Sequence, residues 1–386
     1  MPDSEIYAYI EQHERLRSDG VNLLASENCL SRRVRSALAS DLAGRYQDAG
    51  YGGSPYARKI VAATEKLAGR LFKSGHALVS SLSGNLCVLA AVTAFTAPGD
   101  AVAMLPFTAG GYPFGLEKFH RRRVTLPAGE DSLAVDVAKS VKLMVSEGAV
   151  LAFLGASFLP FPHPVREMRR GLDAAGHGCL LVYDGSHVLG LIACGEFQDP
   201  LREGADMLIG STHKTLYGPQ GGLVLSDSAA LAAQMRKMLE LDLESGIGLV
   251  DNPHLNRIAA LGLAFEELLD DPGYGARVVE NSRALARALD GSGVPVRLRE
   301  RGYTASHQIL LDLGADGAEK LCRALEEVNI FIDAWGRLGT AEVTHRGMGP
   351  GEMSILASWI AAVYAGERRE RLAKEVRELA FSFPSL

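Results

Sequence analysis

Two stretches, LLVYDGSHVLGLIACG (180–195) and IGSTHKTLYGPQGGLVL (209–225), decide how the whole chain is read. Each opens on an apolar run of strand length and then turns abruptly polar: Asp184 closes the first run, and Lys214 follows the second. Outward from them, similar short runs stand at 101–105, 150–154 and 223–226. Helix-length segments such as 164–175 separate several of these runs. Strands alternating with helices predict an α/β fold, a mostly parallel sheet with helices on both faces. Ligands of such sheets bind beyond the carboxyl ends of the strands. The residues just after the strands therefore carry the argument.

Toward the N-terminus, the pattern predicts a surface helix over 4–17, a loop carrying Ala-Ser-Glu-Asn at 25–28, and a helix over 58–72. The turn-forming Ser83-Gly84-Asn85 precedes a helix over 86–96, closed by Pro98-Gly99-Asp100. The turn Asp270-Asp271-Pro272-Gly273 marks a change of unit. Beyond it, helices are expected at 277–289, 318–328, 351–365 and 368–381, with strands near 294–298, 308–312 and 330–332. The expected organisation is an N-terminal helix and arm (1–45), a large domain (46–270) and a smaller C-terminal α+β domain (271–386).

Composition narrows the function classes. A chain of 386 residues exceeds what one hydrophobic core usually serves, so two domains are expected. Forty basic against forty-six acidic side chains give a net charge of −6, without the basic excess of a nucleic-acid binder. The longest apolar stretch, around 86–97, is too short for the ~20 residues of a membrane helix. The N-terminal segment is charged and lacks an apolar signal core. Five cysteines (Cys29, Cys87, Cys179, Cys194 and Cys322) show no paired spacing, and four have apolar neighbours. They read as buried thiols rather than a disulfide frame or a metal site. A cytoplasmic enzyme is the expectation.

Lys214 is one of ten lysines against thirty arginines, and small or hydroxyl residues flank it. A lysine so placed suits Schiff-base chemistry, because burial lowers its pKa and makes it nucleophilic. A strand-end aspartate suits a pyridinium nitrogen, whose proton it retains so that the ring can accept electrons from a carbanion. Singly, the two read as a surface lysine and a helix-capping aspartate; together they favour the catalytic reading.

With Ala-Ser-Glu-Asn and Tyr51-Gly52-Gly53 upstream, the pattern D-x-x-H-V-x-G-L followed by T-H-K-T-L-x-G-P-x-G-G resembles the serine hydroxymethyltransferase family. The resemblance runs from Leu23 to about Trp359. It implies a fold type I enzyme using pyridoxal 5'-phosphate, with the large domain holding the cofactor and a small-molecule amino acid as substrate. It assigns to Lys214 the internal aldimine, to Asp184 the pyridine nitrogen, and to His187 the phenolic oxygen or the substrate carboxylate. His213 precedes the lysine as in the family. Ser83, Gly84 and Asn85 stand where the family grips the phosphate, and backbone N–H groups at a helix N-terminus suit that task; the alternative is an ordinary helix cap. Ser211 and Ser157 match hydroxyls near the cofactor. Arg337, in GRLGT, resembles the arginine whose planar fork binds the substrate carboxylate, and Ser26 a serine that helps to hold it. Tyr46 and Tyr51 match active-site tyrosines that cross a homodimer interface.

The departures concern what the amino acid meets. Asp48 stands where the family carries a glutamate that protonates the substrate and contacts folate, and a basic insert before Tyr51 is missing. The histidine that stacks on the ring is Ala109, with Tyr112 nearby as a substitute. The arginine of G-P-R-G-G is Gln220. A Gly-Gly pair facing the neighbouring subunit's phosphate is Asp251-Asn252. A long loop that meets the pterin is absent before Arg337, and Trp335 is expected to line or plug that space. These changes imply aldol-type cleavage or transfer at Cα–Cβ without folate. Two readings stay open beside it. One is C–S β-elimination or decarboxylating deamination in antibiotic biosynthesis, as in lincosamide pathways; the other is a non-catalytic homologue that binds the cofactor.

Overall fold

A computed structural model describes residues 4–47, 50–367 and 370–384. Asp48 lies outside the described residues. Two compact units emerge, Arg32–Pro272 on one side and Met1–Ser31 with Gly273–Leu386 on the other. The break after Pro272 falls in the turn at 270–273.

The larger unit is built on a seven-stranded sheet. Across it the strands run His76–Leu78, Gly222–Ser226, Met207–Ser211, Leu180–Asp184, Ala149–Gly155, Ala101–Met104 and Arg122–Thr125. Five consecutive strands, from Met207–Ser211 to Arg122–Thr125, pair in parallel, while Gly222–Ser226 is antiparallel to both its neighbours. The sheet is thus mostly parallel, as the alternating runs predict. Its central strands read as continuous apolar runs because both faces are covered: every residue of Met207–Ser211 and Gly222–Ser226 is buried. Helix Gly84–Phe95 packs its Cys87, Val88, Ala91 and Val92 into that core, against strand residues such as Val102, Leu151, Val182 and Ile209.

The middle strand of the seven, Leu180–Asp184, delivers Asp184 to the sheet's carboxyl edge. Gly155 pairs with Asp184 on the neighbouring strand at φ +87°. A Cβ there would strike the Asp184 carbonyl oxygen, so only glycine lets the two backbones pass. Arg257, on helix Leu255–Asp270, ties three segments together. Its Nη2 donates to the carbonyls of Val79 (2.7 Å) and Pro253 (2.9 Å), while Nη1 lies against Gly221. Burial lowers this guanidinium's pKa to about 10.

In the other unit, strand Val21–Asn22 pairs in parallel with Ile330–Phe331. The first thirty-one residues therefore group with the C-terminal part of the chain. Gln308–Leu310 pairs antiparallel with Arg337–Gly339, and helices Tyr274–Gly291 and Pro350–Tyr364 pack over an aliphatic core including Leu285, Ile309, Leu338 and Leu356. The strand expected at 294–298 is a single bridge, Val296 to Leu311, because Pro295 has no N–H to extend a ladder. Of the five cysteines, Cys87 and Cys179 are buried, whereas Cys29, Cys194 and Cys322 keep partial exposure; none of the five is in a disulfide. Apolar neighbours in sequence did not ensure burial for Cys194 and Cys322. Among the described residues no helix is long and apolar enough to cross a membrane.

Gly155→Ala should destabilise the larger unit by about 1–3 kcal/mol, since left-handed strain and the collision with Asp184 act together. Thermal unfolding checks the loss, and cofactor absorbance should fall in step as Asp184 is pushed aside.

Candidate active site

At the carboxyl edge of the sheet a cavity of about 210 Å³ opens, lined by Ser83, Gly84, Asn85, Tyr112, Ser157, Asp184, His187, Ser211, His213 and Lys214. Ten residues singled out from sequence thus share one cavity, although 131 positions separate the first from the last. Ala156 and Ser186 complete the lining.

Asp184 is the anionic end. Its Oδ1 accepts from the Ser186 hydroxyl (2.6 Å) and the Ser186 backbone N–H (3.0 Å). Loss of solvation raises the pKa of its carboxyl, while the Ser186 bonds and the Lys214 charge oppose that rise. Ser186 is the cavity residue bonded to Asp184 that sequence reading missed. Its Oγ donates to Asp184 and accepts from the Ser211 N–H (3.0 Å), which joins the middle strand to the next. The signal was there: a small polar residue two positions after a strand-end aspartate forms an Asx-type turn.

The lysine loop is held mainly by backbone and hydroxyl groups. The Thr212 hydroxyl donates to the Pro219 carbonyl (2.6 Å) and the Thr215 hydroxyl to the His187 carbonyl (2.9 Å), while Gly218 N–H closes onto Thr212 (2.8 Å). Gly190 packs against the Thr215 carbonyl, fixing the distance between the two quoted stretches. His213 is pushed down to about 4, first by desolvation and then by the Lys214 charge, so it is neutral at physiological pH. Its Nδ1 is buried and has no hydrogen-bond partner among the described residues.

Opposite, Ser83 caps helix Gly84–Phe95, its hydroxyl accepting from the Leu86 N–H (3.1 Å). A Cβ on Gly84 would lie 2.9 Å from both the Ser186 Oγ and the Ser211 nitrogen, so the helix N-terminus is pressed onto the strand ends. The Tyr112 hydroxyl donates to Asn85 Oδ1 (3.0 Å), and burial followed by the Asp184 charge raises its pKa. Ala109 is buried and Tyr112 faces the cavity in its stead.

Other expected residues lie elsewhere. Tyr46, Tyr51 and Asn252 line a second cavity of about 360 Å³, together with Arg58, Arg236 and Asp251. Tyr46 and Tyr51 stack with ring centres 4.8 Å apart, and both are exposed. Arg337 and Ser26 belong to the other unit. Arg337 is 5% exposed and its Nε donates to Asp333 Oδ2 (2.8 Å). Gly339 N–H donates to the Leu23 carbonyl (2.7 Å), which sets the loop carrying Ser26 beside the Arg337 strand. Trp335 is 64% exposed in its own unit, so its indole plugs no space there.

These groups fit pyridoxal phosphate. A strand-end carboxylate suits the ring nitrogen, a helix N-terminus without a side chain at Gly84 suits the phosphate, and an amine on the adjoining loop suits the aldehyde. A mostly parallel sheet bearing that set at its carboxyl edge defines a fold type I pyridoxal-phosphate enzyme. Residues 1–126 and 165–360 match the family model described as serine hydroxymethyltransferase. Curated serine hydroxymethyltransferases of Methanopyrus kandleri and Thermoplasma volcanium are each 36% identical to the chain, which is covered to 97% in both, with 94% and 92% of the relatives covered. The solved L-threonine transaldolase of Pseudomonas fluorescens, in its internal aldimine state, superposes with a TM-score of 0.89 at 27% identity, covering 98% of this chain and 91% of that one. The chain belongs to the serine hydroxymethyltransferase family. It is a pyridoxal 5'-phosphate-dependent transferase.

A histidine with a folded pKa near 4 against about 6.5 unfolded contributes stability that is complete above 6.5 and lost as pH falls toward 4. In the cofactor-free protein, His213→Asn should remove up to about 3 kcal/mol of the stability change between pH 7 and 4. Urea unfolding across that range, wild type beside variant, measures the difference in slope.

Proposed function

We propose that the enzyme breaks or forms the Cα–Cβ bond of a β-hydroxy-α-amino acid, by aldol-type cleavage or transfer, and does so without tetrahydrofolate. One observation carries the reading. The residues suited to the cofactor share one cavity around Asp184 and Lys214, while three departures, at Asp48, before Tyr51 and before Arg337, fall where the family meets folate. The transaldolase likeness supports transfer between an amino acid and an aldehyde with no folate carrier. In functional terms 46–270 serves as the cofactor-binding domain, 271–386 as the smaller domain and 1–45 as the helix and arm.

When bound, the cofactor supplies an electron-accepting ring that stabilises negative charge at Cα. The protein supplies the rest. Lys214 Nζ would hold the cofactor covalently until the substrate amine displaces it. Asp184 keeps the ring nitrogen protonated, and Ser186 holds that carboxylate in line. Ser83, Gly84 and Asn85 hold the phosphate, with Ser157, Ser211 and Tyr112 around the ring. Neutral His213, with His187, accepts or returns protons beside Lys214 Nζ. Arg337 binds the substrate carboxylate, with Ser26 beside it; fixing that end of the substrate selects which Cα bond stands perpendicular to the ring.

Two copies of the chain complete each site on this reading. Tyr46, Tyr51 and Asn252 surround a different cavity from that of Lys214 in their own protomer, which supports delivery to the partner's cofactor. Asp48 and Tyr51 then serve catalysis across the interface. Helix Glu5–Ser18 buries none of its residues and exposes Ile6, Tyr7, Tyr9 and Ile10, an apolar face that a second copy would cover.

Lys214→Ala should abolish turnover, the visible absorption and the borohydride-trapped adduct; an undiminished adduct overturns the assignment. A mixed dimer of Tyr46→Phe and Lys214→Ala subunits should regain activity that neither parent has, whereas an active monomer in sedimentation removes the shared site. Tetrahydrofolate should not saturate at micromolar concentration in calorimetry. Every pterin polar group left without a hydrogen-bond partner by the missing elements costs roughly 1–3 kcal/mol, about five- to a hundredfold in affinity. Micromolar folate binding that accelerates glycine turnover would restore ordinary hydroxymethyl transfer.

A further inference from the structure

The short loop before Arg337 contains a carboxylate that sequence reading left without a role. Asp333 is buried, and its two oxygens do different work. Oδ1 accepts from the backbone N–H groups of Trp335 (3.1 Å) and Arg337 (3.0 Å), closing a turn in which Gly336 has φ +72°. Oδ2 accepts from Arg337 Nε at 2.8 Å, with 7% and 6% of the two side chains exposed. Main chain and guanidinium of one arginine are thus held by one carboxylate. A second buried arginine of this unit is different in kind. Arg346 donates to the carbonyls of Gly20 (3.1 Å), Ala380 (2.9 Å) and Phe383 (2.7 Å), a stitch between backbone segments.

We propose that Asp333 is a positioning residue for substrate recognition: it sets the plane of the Arg337 guanidinium, and so the selectivity of the enzyme for a free α-carboxylate. The inference rests on the reading of Arg337 as the carboxylate-binding residue. A bond at Nε stops rotation about Cδ–Nε and fixes the direction in which the terminal Nη edge points. Two parallel N–H···O bonds to a carboxylate form only when the two planes coincide, within about 10–20°. Asp333 also compensates the arginine's charge, without which a cation so buried would be costly. Substrate carboxylate therefore meets an arginine whose charge is already compensated, and affinity depends on the geometry of the fork.

The test uses the cofactor-loaded enzyme titrated with glycine and with glycinamide, which lacks the carboxylate. Asp333→Asn keeps shape and size but presents an amide to Nε. Glycine binding should weaken about ten- to a hundredfold, while glycinamide binding and cofactor absorbance hold within about twofold. Asp333→Glu, which keeps the charge one methylene further away, should lie between, and it serves where the asparagine variant does not fold. A merely structural role predicts equal weakening of both ligands together with a lower melting temperature; that result, or an unchanged glycine-to-glycinamide ratio, overturns the proposal. Arg337→Ala runs alongside. If it leaves the ratio unchanged, the carboxylate reading of Arg337 fails first; if it collapses the ratio while Asp333→Asn does not, only the role of Asp333 falls.

Discussion

A carboxylate held at the end of the middle strand is the constraint on which the larger unit turns. Asp184 costs solvation wherever it stands in such a sheet, and that loss of solvation raises its carboxyl pKa. The fold accepts it because Ser186 answers one oxygen twice, by hydroxyl and by backbone N–H. The same hydroxyl then accepts from the Ser211 N–H, so the strand bearing Asp184 and the strand leading to Lys214 share one bridge. Neighbouring glycines follow from this arrangement. Gly155 lets its strand pass the Asp184 carbonyl, and Gly84 lets a helix N-terminus reach the Ser186–Ser211 bridge. Removing the bulk of two side chains makes room for one charge.

Around that charge the cavity is sparing with cations. Lys214 is the one lysine or arginine among its lining residues, and His213 beside it is held neutral. A phosphate in this cavity would be met by oriented dipoles, namely the helix N-terminus after Ser83 and neighbouring hydroxyls, rather than by an arginine. The economy has a chemical consequence. A second fixed cation near Lys214 would lower the amine's pKa and compete for Asp184, whereas dipoles bind an anion without titrating. Neutral His213 fits the same logic, because a charged imidazole next to the lysine would oppose its protonation.

Much of this was legible because apolar runs of four or five residues ending in a polar side chain mark strand ends, and strand ends are where the site lies. The edges were harder. His76–Leu78 is three residues long with an exposed histidine, and Arg122–Thr125 opens with two arginines, so neither shows an apolar run. Helix Leu255–Asp270 buries nine residues on several sides, which blurs the single stripe that reveals a surface helix. Among site residues, Ser186 and Asp333 escaped notice for one reason: each acts through a neighbour two to four positions away, and their roles depend on turn geometry that spacing alone leaves open. Tyr46, Tyr51 and Asn252 were legible as a group, yet their separation from the Lys214 cavity within one protomer is a fact only of the structure.

Different parts of the chain are held with very different stiffness. Groups that govern the electronics, the strand-end carboxylate and the lysine loop, are fixed by backbone bonds, glycine packing and a shared serine. Altering any of them disturbs the sheet itself, at a cost of about 1–3 kcal/mol, a large share of a domain's net stability. Groups that decide what the amino acid meets stand on short loops, such as residues 332–337, where one carboxylate and two backbone bonds carry the geometry. Loops tolerate shortening because their closure entropy changes slowly with length. Loops of this kind can therefore shorten at less cost than the strand-end carboxylate or the lysine loop can change. A complete Asp184–Ser186–Lys214 arrangement beside a short 332–337 loop is the pattern that this asymmetry of cost allows.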